Sequence, residues 1–252
     1  MTDATSLARR VFASGGAVTV MLALAGCSGA ASSHPSPSPS LSVTPAPTMG
    51  TAAARADELY GTFDSVSAAG DGEDVIPLPP DVTRAHSGIV RMAYDGTEPL
   101  VLWSLDAAGE KQMILIDATI PLTAADPASF DGETTWWKAN EPPHALQVEG
   151  DGSWELTVLP VSSAPPLESE GRGTRVYLYD GAGGSFAGHK SDTEVGMSVT
   201  EFALDTGGGS PKEAVVDKRA DADFVVALTR GPSMVIVTHR GDWSMDIPIE
   251  EW

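Results

Sequence analysis

A second cysteine is missing from this chain. Cys27 stands alone, so no intrachain disulfide can form, and an exported domain built from this sequence must rely on its apolar core. Positive charge is scarce as well: 15 Lys and Arg face 35 Asp and Glu, a formal charge of −20. That field repels a phosphate backbone, whose recognition depends on Lys and Arg displacing counterions, and it works equally against anionic lipid headgroups. Nucleic acid is excluded as a partner. A long hydrophobic run is absent too. The apolar stretch Ala17–Ala25 is far short of the ~20 residues that a spanning helix needs.

The residues that are present say more. Arg9 and Arg10 precede the apolar stretch, which ends in Leu24-Ala25-Gly26-Cys27. This is the three-part layout of a secretory signal, and its end resembles the bacterial lipobox. The resemblance implies a diacylglyceryl group on the Cys27 sulfur and cleavage after residue 26. Two acyl chains satisfy the two-signal requirement for stable anchoring. The expected address is therefore the outer face of the cytoplasmic membrane, with the lipid as the membrane partner. Arg9-Arg10-Val11-Phe12 matches the twin-arginine export signal only in part, which leaves general secretion as the default. Cleavage removes Arg9, Arg10 and Asp3, leaving 13 basic and 34 acidic residues, a formal −21.

Ser32–Ser40 alternates Ser and Pro after one His-Pro step, and Pro returns at 45 and 47. Such a segment builds neither helix nor core and favours extended polyproline II. Fully extended, 28–57 reaches on the order of 90 Å at about 3.1 Å per residue. The expected organisation is a signal peptide (1–26), a lipid-anchored disordered Pro/Ser tether (27–57) and two β units (58–160 and 161–252).

With 252 residues, 42% hydrophobic, 26 Gly and 19 Pro, the remainder suits a turn-rich fold with a substantial core. Period-2 alternation dominates from Phe63 onward. Trp154, Leu156 and Val158 point one way and Glu155 and Thr157 the other; Trp243, Met245 and Ile247 repeat the pattern near the C-terminus. Further strands are expected at 88–94, 99–105, 112–117, 175–179, 198–204, 224–229 and 234–239. Only Ala52–Tyr60 reads as helix.

The two halves repeat each other. Gly70-Asp71-Gly72-Glu73-Asp74-Val75 recurs as Gly171-Arg172-Gly173-Thr174-Arg175-Val176, at an offset of 101. Leu105-Asp106 recurs as Leu204-Asp205 at 99, Ile116-Asp117 as Val216-Asp217 at 100, and Trp154 as Trp243 at 89. Four landmarks in one order point to duplication. A period near 100 is too long for a solenoid and suits an all-β chain of two tandem antiparallel sandwich or jelly-roll units with seven or eight strands each. The Gly-x-Gly-x-x-Val opening, the Leu-Asp-x-x-Gly turn and the closing tryptophan strand resemble a tandem β-sandwich of secreted lipoproteins from high-GC Gram-positive bacteria. The resemblance implies the fold and carries over no activity and no site. The connector Ser162–Pro166 is short and stiff, so the copies are expected to share an interface.

Several motifs invite chemistry and fall short of it. Arg240-Gly241-Asp242 spells an adhesion tripeptide, but Asp151-Gly152-Ser153 occupies the same place in the first copy, so a tight turn explains both. Gly181–Ser191 misses the phosphate-loop spacing because His189 separates Gly188 from Lys190, and misses the nucleophile elbow because Ala187 stands where glycine belongs. A glycine-rich hairpin loop is expected there. None of the histidines (34, 86, 144, 189 and 239) pairs with another at ligand spacing. Asp71, Glu73 and Asp74, and Asp217, Asp221 and Asp223, are hard-oxygen clusters without a calcium-loop pattern. Neither cofactor, metal nor catalytic set is expected.

Trp136-Trp137, with Asp131 and Glu133 nearby, is the expected ligand surface. Neighbouring strand residues face opposite sides, so one ring belongs to the core and the other is free to stack on a sugar or on a partner's apolar patch. The expectation is a non-catalytic envelope binding module, with a carbohydrate or an envelope protein as partner. The alternatives are a structural, charge-bearing surface protein and an extracellular carbohydrate-active hydrolase, which requires two carboxyls across a cleft.

Overall fold

The computed structural model describes residues 42–44, 51–118, 129–136, 141–191, 196–204, 212–216 and 222–247, all inside one compact unit, Ser38–Trp252. Leu24, Ala25, Gly26, Cys27, Trp137, Asp217 and Asp221 lie outside the described residues.

Strand β1 (Ser42–Thr44) and helix α1 (Thr51–Tyr60) come first. β1 lies within the segment expected to be tether, and α1 is the helix expected at Ala52–Tyr60, begun one residue earlier. The helix forms because Ala52, Ala53, Ala56 and Tyr60 make one buried face. Gly61, at φ +88, follows its end, with its N–H bonded to the Asp57 carbonyl. Glycine adopts that left-handed stop at no steric cost.

The first copy then runs through β2 (Ser65–Asp71), β3 (Asp74–Pro77), β4 (Gly88–Asp95), β5 (Val101–Leu105), β6 (Lys111–Asp117), β7 (Ser129–Trp136), β8 (Ala145–Glu149) and β9 (Ser153–Leu159). The second runs through β10 (Glu170–Arg172), β11 (Arg175–Tyr179), β12 (Gly184–Lys190), β13 (Met197–Ala203), β14 (Lys212–Val216), β15 (Asp223–Leu228), β16 (Ser233–Thr238) and β17 (Asp242–Met245). The sheet orders are β1-β2-β9-β4-β7 with β3-β8-β5-β6, and β10-β17-β12-β15 with β11-β16-β13-β14. Renumbered within each copy, both read 1-8-3-6 over 2-7-4-5, with antiparallel neighbours throughout. This is an eight-stranded jelly roll, made twice. Among the described strands only β1, added to the edge of β2, has no counterpart in the other copy.

The duplicated landmarks superpose in register. Gly70 lies opposite Trp154 across β2 and β9, and Gly171 lies opposite Trp243 across β10 and β17. A Cβ at either glycine would collide with the facing indole. Gly72 and Gly173 turn the next hairpins at φ +72 and +74, and their N–H groups bond the carbonyls of Gly152 and Gly241.

Each roll has its own core. Val66, Met92, Trp136, Trp154 and Leu156 belong to the first, and Tyr177, Phe186, Val199, Val226 and Trp243 to the second. A third cluster joins the copies: Ala52, Ala53 and Ala56 of α1 pack with Ile89 and Val161 against Val176, Leu178, Phe202 and Met234. The copies do share an interface.

The glycine-rich segment expected to be a loop is a strand. β12 pairs with both β15 and β17, and Phe186 and Lys190 turn inward. Glycine at 184 and 188 masks its propensity, yet Gly188 is required because a Cβ there would meet the Phe224 ring.

Candidate functional site

Among the described residues the two rolls do not close completely. The face of β11-β16-β13-β14 that turns away from the second core is covered at one end by α1 and the apolar junction. At its other end it stays open. Thr200 and Ile236 pair in register there, with Thr238 beside them and Phe202 at the covered edge. Opposite stand the end of β6 (Leu115–Asp117) and one edge of β7 (Ser129–Thr135). The resulting cleft has a volume of about 630 Å³. Junctions between domains are a common place for ligand clefts of this size.

Three arginines stand at its mouth. Arg172 and Arg175 flank the β10–β11 turn, and Arg240 opens the β16–β17 turn. The turns are adjacent: Gly173 donates to the Gly241 carbonyl at 3.2 Å and the Thr174 hydroxyl to the His239 carbonyl at 3.3 Å. Arg175 reaches across to Asp131 of β7 at 3.0 Å. Arg172 is 79% exposed and lies 3.9 Å from Asp242, a loose pair. Partial desolvation pulls the Arg240 pKa below the ordinary arginine value. Each of the three occupies a position where the first copy has aspartate. Arg172 and Arg175 correspond to Asp71 and Asp74 at the offset of 101, and Arg240 to Asp151 at 89. A turn admits either sign, so the charge reversal leaves no motif of its own and shows only when each position is paired with its copy.

Of the expected ligand surface, Trp136 is the ring that belongs to the core, and Trp137 lies outside the described residues. Trp136 is 1% exposed and stacks on Phe63 at 6.4 Å in the first core. Glu133 is 3% exposed. One of its oxygens accepts from Arg91 at 2.7 Å, and the other accepts the Val176 N–H at 2.8 Å. Its backbone N–H meets the Thr174 carbonyl at 2.9 Å. β7 thus turns the Trp136 indole into its own core and presses the Glu133 carboxylate against the second roll at the cleft wall. Asp131 stays exposed at the cleft wall.

The other sequence candidates fall where turns put them. Arg240-Gly241-Asp242 is a turn, as expected, although Arg240 also lines the cleft. His189 pairs with Asp223 at 2.9 Å on the open face of β12 and β15. Asp71 ends β2, Glu73 lies in the turn, and Asp74 caps the Val75 N–H at 2.7 Å. Among the described residues no three His, Cys, Asp or Glu side chains gather as a metal site. Among them also, no helix is long and apolar enough to cross a membrane.

No protein-family model matches the chain, and no curated protein matches it. Two solved structures are similar at a distance. A conserved protein of unknown function from Pseudomonas aeruginosa PAO1 is 10% identical, covering 73% of this chain and 80% of its own, with a TM-score of 0.21. A fucolectin from striped bass (Morone saxatilis) serum is also 10% identical, covering 82% and 93%, with a TM-score of 0.18. Superposition this loose assigns neither family nor ligand.

Proposed function

We propose that this chain is a lipid-anchored extracytoplasmic binding module, attached through Cys27 to the outer face of the cytoplasmic membrane, whose cleft receives an acidic group of an envelope component. The observation that carries the ligand reading is the reversal of three aspartates to arginine at the cleft mouth, in a chain of formal charge −20. Guanidinium groups match carboxylate and phosphate oxygens with paired donors. Thr200 and Thr238 add hydroxyls to the floor. Two of the three carboxylates that line the cleft, Glu133 and Asp131, already serve structure. Glu133 holds Arg91 and the Val176 N–H, and Asp131 holds Arg175. That favours binding over the hydrolytic alternative, which needs a pair committed to the substrate.

The ligand test titrates the full-length chain in detergent with trigalacturonate and with the neutral galactose trimer. The acidic trimer is expected to bind at least tenfold more tightly, and the Arg172→Ala/Arg240→Ala double variant to lose that preference. Equal binding of both trimers, or an unaffected double variant, rejects the cleft as an acid-recognising site. The anchor has its own test. Intact mass and detergent partitioning of the native chain beside Cys27→Ala are expected to show a diacylglyceryl addition and detergent partitioning only in the former.

A further inference from the structure

The duplication exposes a second surface, independent of the cleft. In the second roll the outer face of β11-β16-β13-β14 carries Val176, Leu178, Met234, Ile236 and Phe202, and α1 and the first roll cover much of it. By register, Leu178 corresponds to Pro77 of the first roll, Met234 to Ala145, Ile236 to Gln147 and Thr200 to Trp103. The broad apolar sheet face of the second roll has thus become, in the first, one narrow row across four strands: Val75, Gln147, Trp103 and Ile114. This row stays open. Val75 is 47% and Ile114 42% exposed, two of the three exposed large apolar side chains among the described residues. Trp103 lies between them, half-buried. Its indole N–H donates to Glu149 at 2.8 Å, which fixes the ring. Lys111 pairs with the same carboxylate and holds its ammonium 4.6 Å from the ring centroid.

We propose that this row is a binding platform for a neutral, extended glycan strand, which lies across the four strands and stacks one ring on Trp103. Size and charge select this occupant. The face measures roughly 14 by 17 Å, on the order of 250 Å², against about 800 Å² per partner in a stable protein interface. A second copy would bring another large negative charge to the same place. A neutral glycan meets neither obstacle. It needs only a fixed aromatic ring, flanking apolar contacts, and side chains that bond hydroxyls. Trp103, Val75 with Ile114, and Gln147 with Glu149 and Lys111 supply these. The row spans four strands at about 4.8 Å spacing, the span of a short oligosaccharide. A ring arriving on Trp103 displaces the Lys111 ammonium toward Glu149, with which it is already paired.

Calorimetric titration of the full-length chain in detergent with cellotetraose and with chitotetraose tests the platform. At least one is expected to bind. Trp103→Ala is expected to weaken it tenfold or more, and Trp103→Phe, which keeps a stacking ring, to weaken it less. Ile114→Glu changes an exposed side chain at little risk to folding, and the same tenfold loss is expected from it. Absence of binding by the native chain at millimolar glycan overturns the proposal, as does equal binding by native chain and Ile114→Glu. Self-association abolished by Ile114→Glu, without glycan binding, overturns it in favour of a contact between copies. Because Ile114 does not line the cleft and Arg172 and Arg240 do not belong to this row, running both cleft trimers on Ile114→Glu and both tetramers on Arg172→Ala/Arg240→Ala keeps the two readings separate.

Discussion

Asp151 shows how much a single turn residue does here. Its carboxylate accepts the Thr97 hydroxyl and the backbone N–H groups of Glu98 (2.9 Å) and Thr97 (2.8 Å), and Tyr94 donates its hydroxyl at 3.0 Å. These donors, the Thr97 hydroxyl first, hold its pKa far below the usual carboxylate range. A carboxyl depressed on folding stabilises the fold above its unfolded pKa, and the contribution fades as pH falls toward the folded value. Asp151→Asn should therefore lower the melting temperature at neutral pH but change it much less in strong acid, a contrast that thermal denaturation at several pH values reads directly. Tyr177 works at the other end of the scale. Burial, aided by Glu168 and Glu133, pushes its phenol up to about 12. A raised phenol pKa favours the fold below the unfolded value of about 10, and this is lost as pH rises toward 12. Alkaline denaturation of Tyr177→Phe should lack the part of the slope in that window, and an unchanged slope would refute the assignment. Glu133 is buried between the two rolls, where it holds Arg91 and the Val176 N–H. Glu133→Ala leaves the buried Val176 N–H without its acceptor, so a loss of about 1–3 kcal/mol is expected in denaturant titrations.

At the scale of elements, the opposed glycine and tryptophan are the signature of each roll. Gly70 beneath Trp154 and Gly171 beneath Trp243 leave room for an indole lying flat across the neighbouring strand. Gly70→Ala and Gly171→Ala should each cost about 1–3 kcal/mol by overpacking, with similar losses in the two copies if the duplication is structural. A strong effect at one position and none at the other, in equilibrium unfolding, would contradict that equivalence. The same pairs explain why the fold could be read from the sequence. Strands with large alternating side chains, such as β4, β9, β11 and β16, announce themselves because one face must be apolar. β12 does not, since the close approach of Phe224 demands glycine where a strand-forming residue would otherwise stand. The cleft arginines were illegible for another reason. A turn accepts Asp or Arg equally well, so only pairing each position with its copy reveals that the sign has changed. Trp103 was hidden by its neighbours, because Glu149 and Lys111 lie far from it in sequence and meet it only through the β5–β8 and β5–β6 ladders.

At the scale of the whole molecule, α1 makes the two rolls one object. It precedes the first roll in sequence, yet its first turn is held by the second: the Ala52 N–H donates to Asp180 at 3.0 Å, and Arg55 reaches the Leu204 carbonyl at 3.5 Å. A carboxylate at a helix N-terminus is also favoured by the helix dipole. Ala52 and Ala56 are fully buried where helix, connector and both sheets meet. Tight packing of this kind leaves no room for a larger or charged side chain. The intact chain is therefore expected to unfold in a single cooperative transition, with calorimetric and van't Hoff enthalpies in agreement. Ala56→Glu would place a charge in an apolar junction at a cost on the order of 3 kcal/mol or more. It should resolve that transition into two, because each roll keeps its own core while the joint between them is lost. Two transitions already present in the native chain would mean that the rolls are mechanically independent. A single transition retained in Ala56→Glu would mean that the contact between β7 and β11, through Glu133 and Arg175, suffices without the helix.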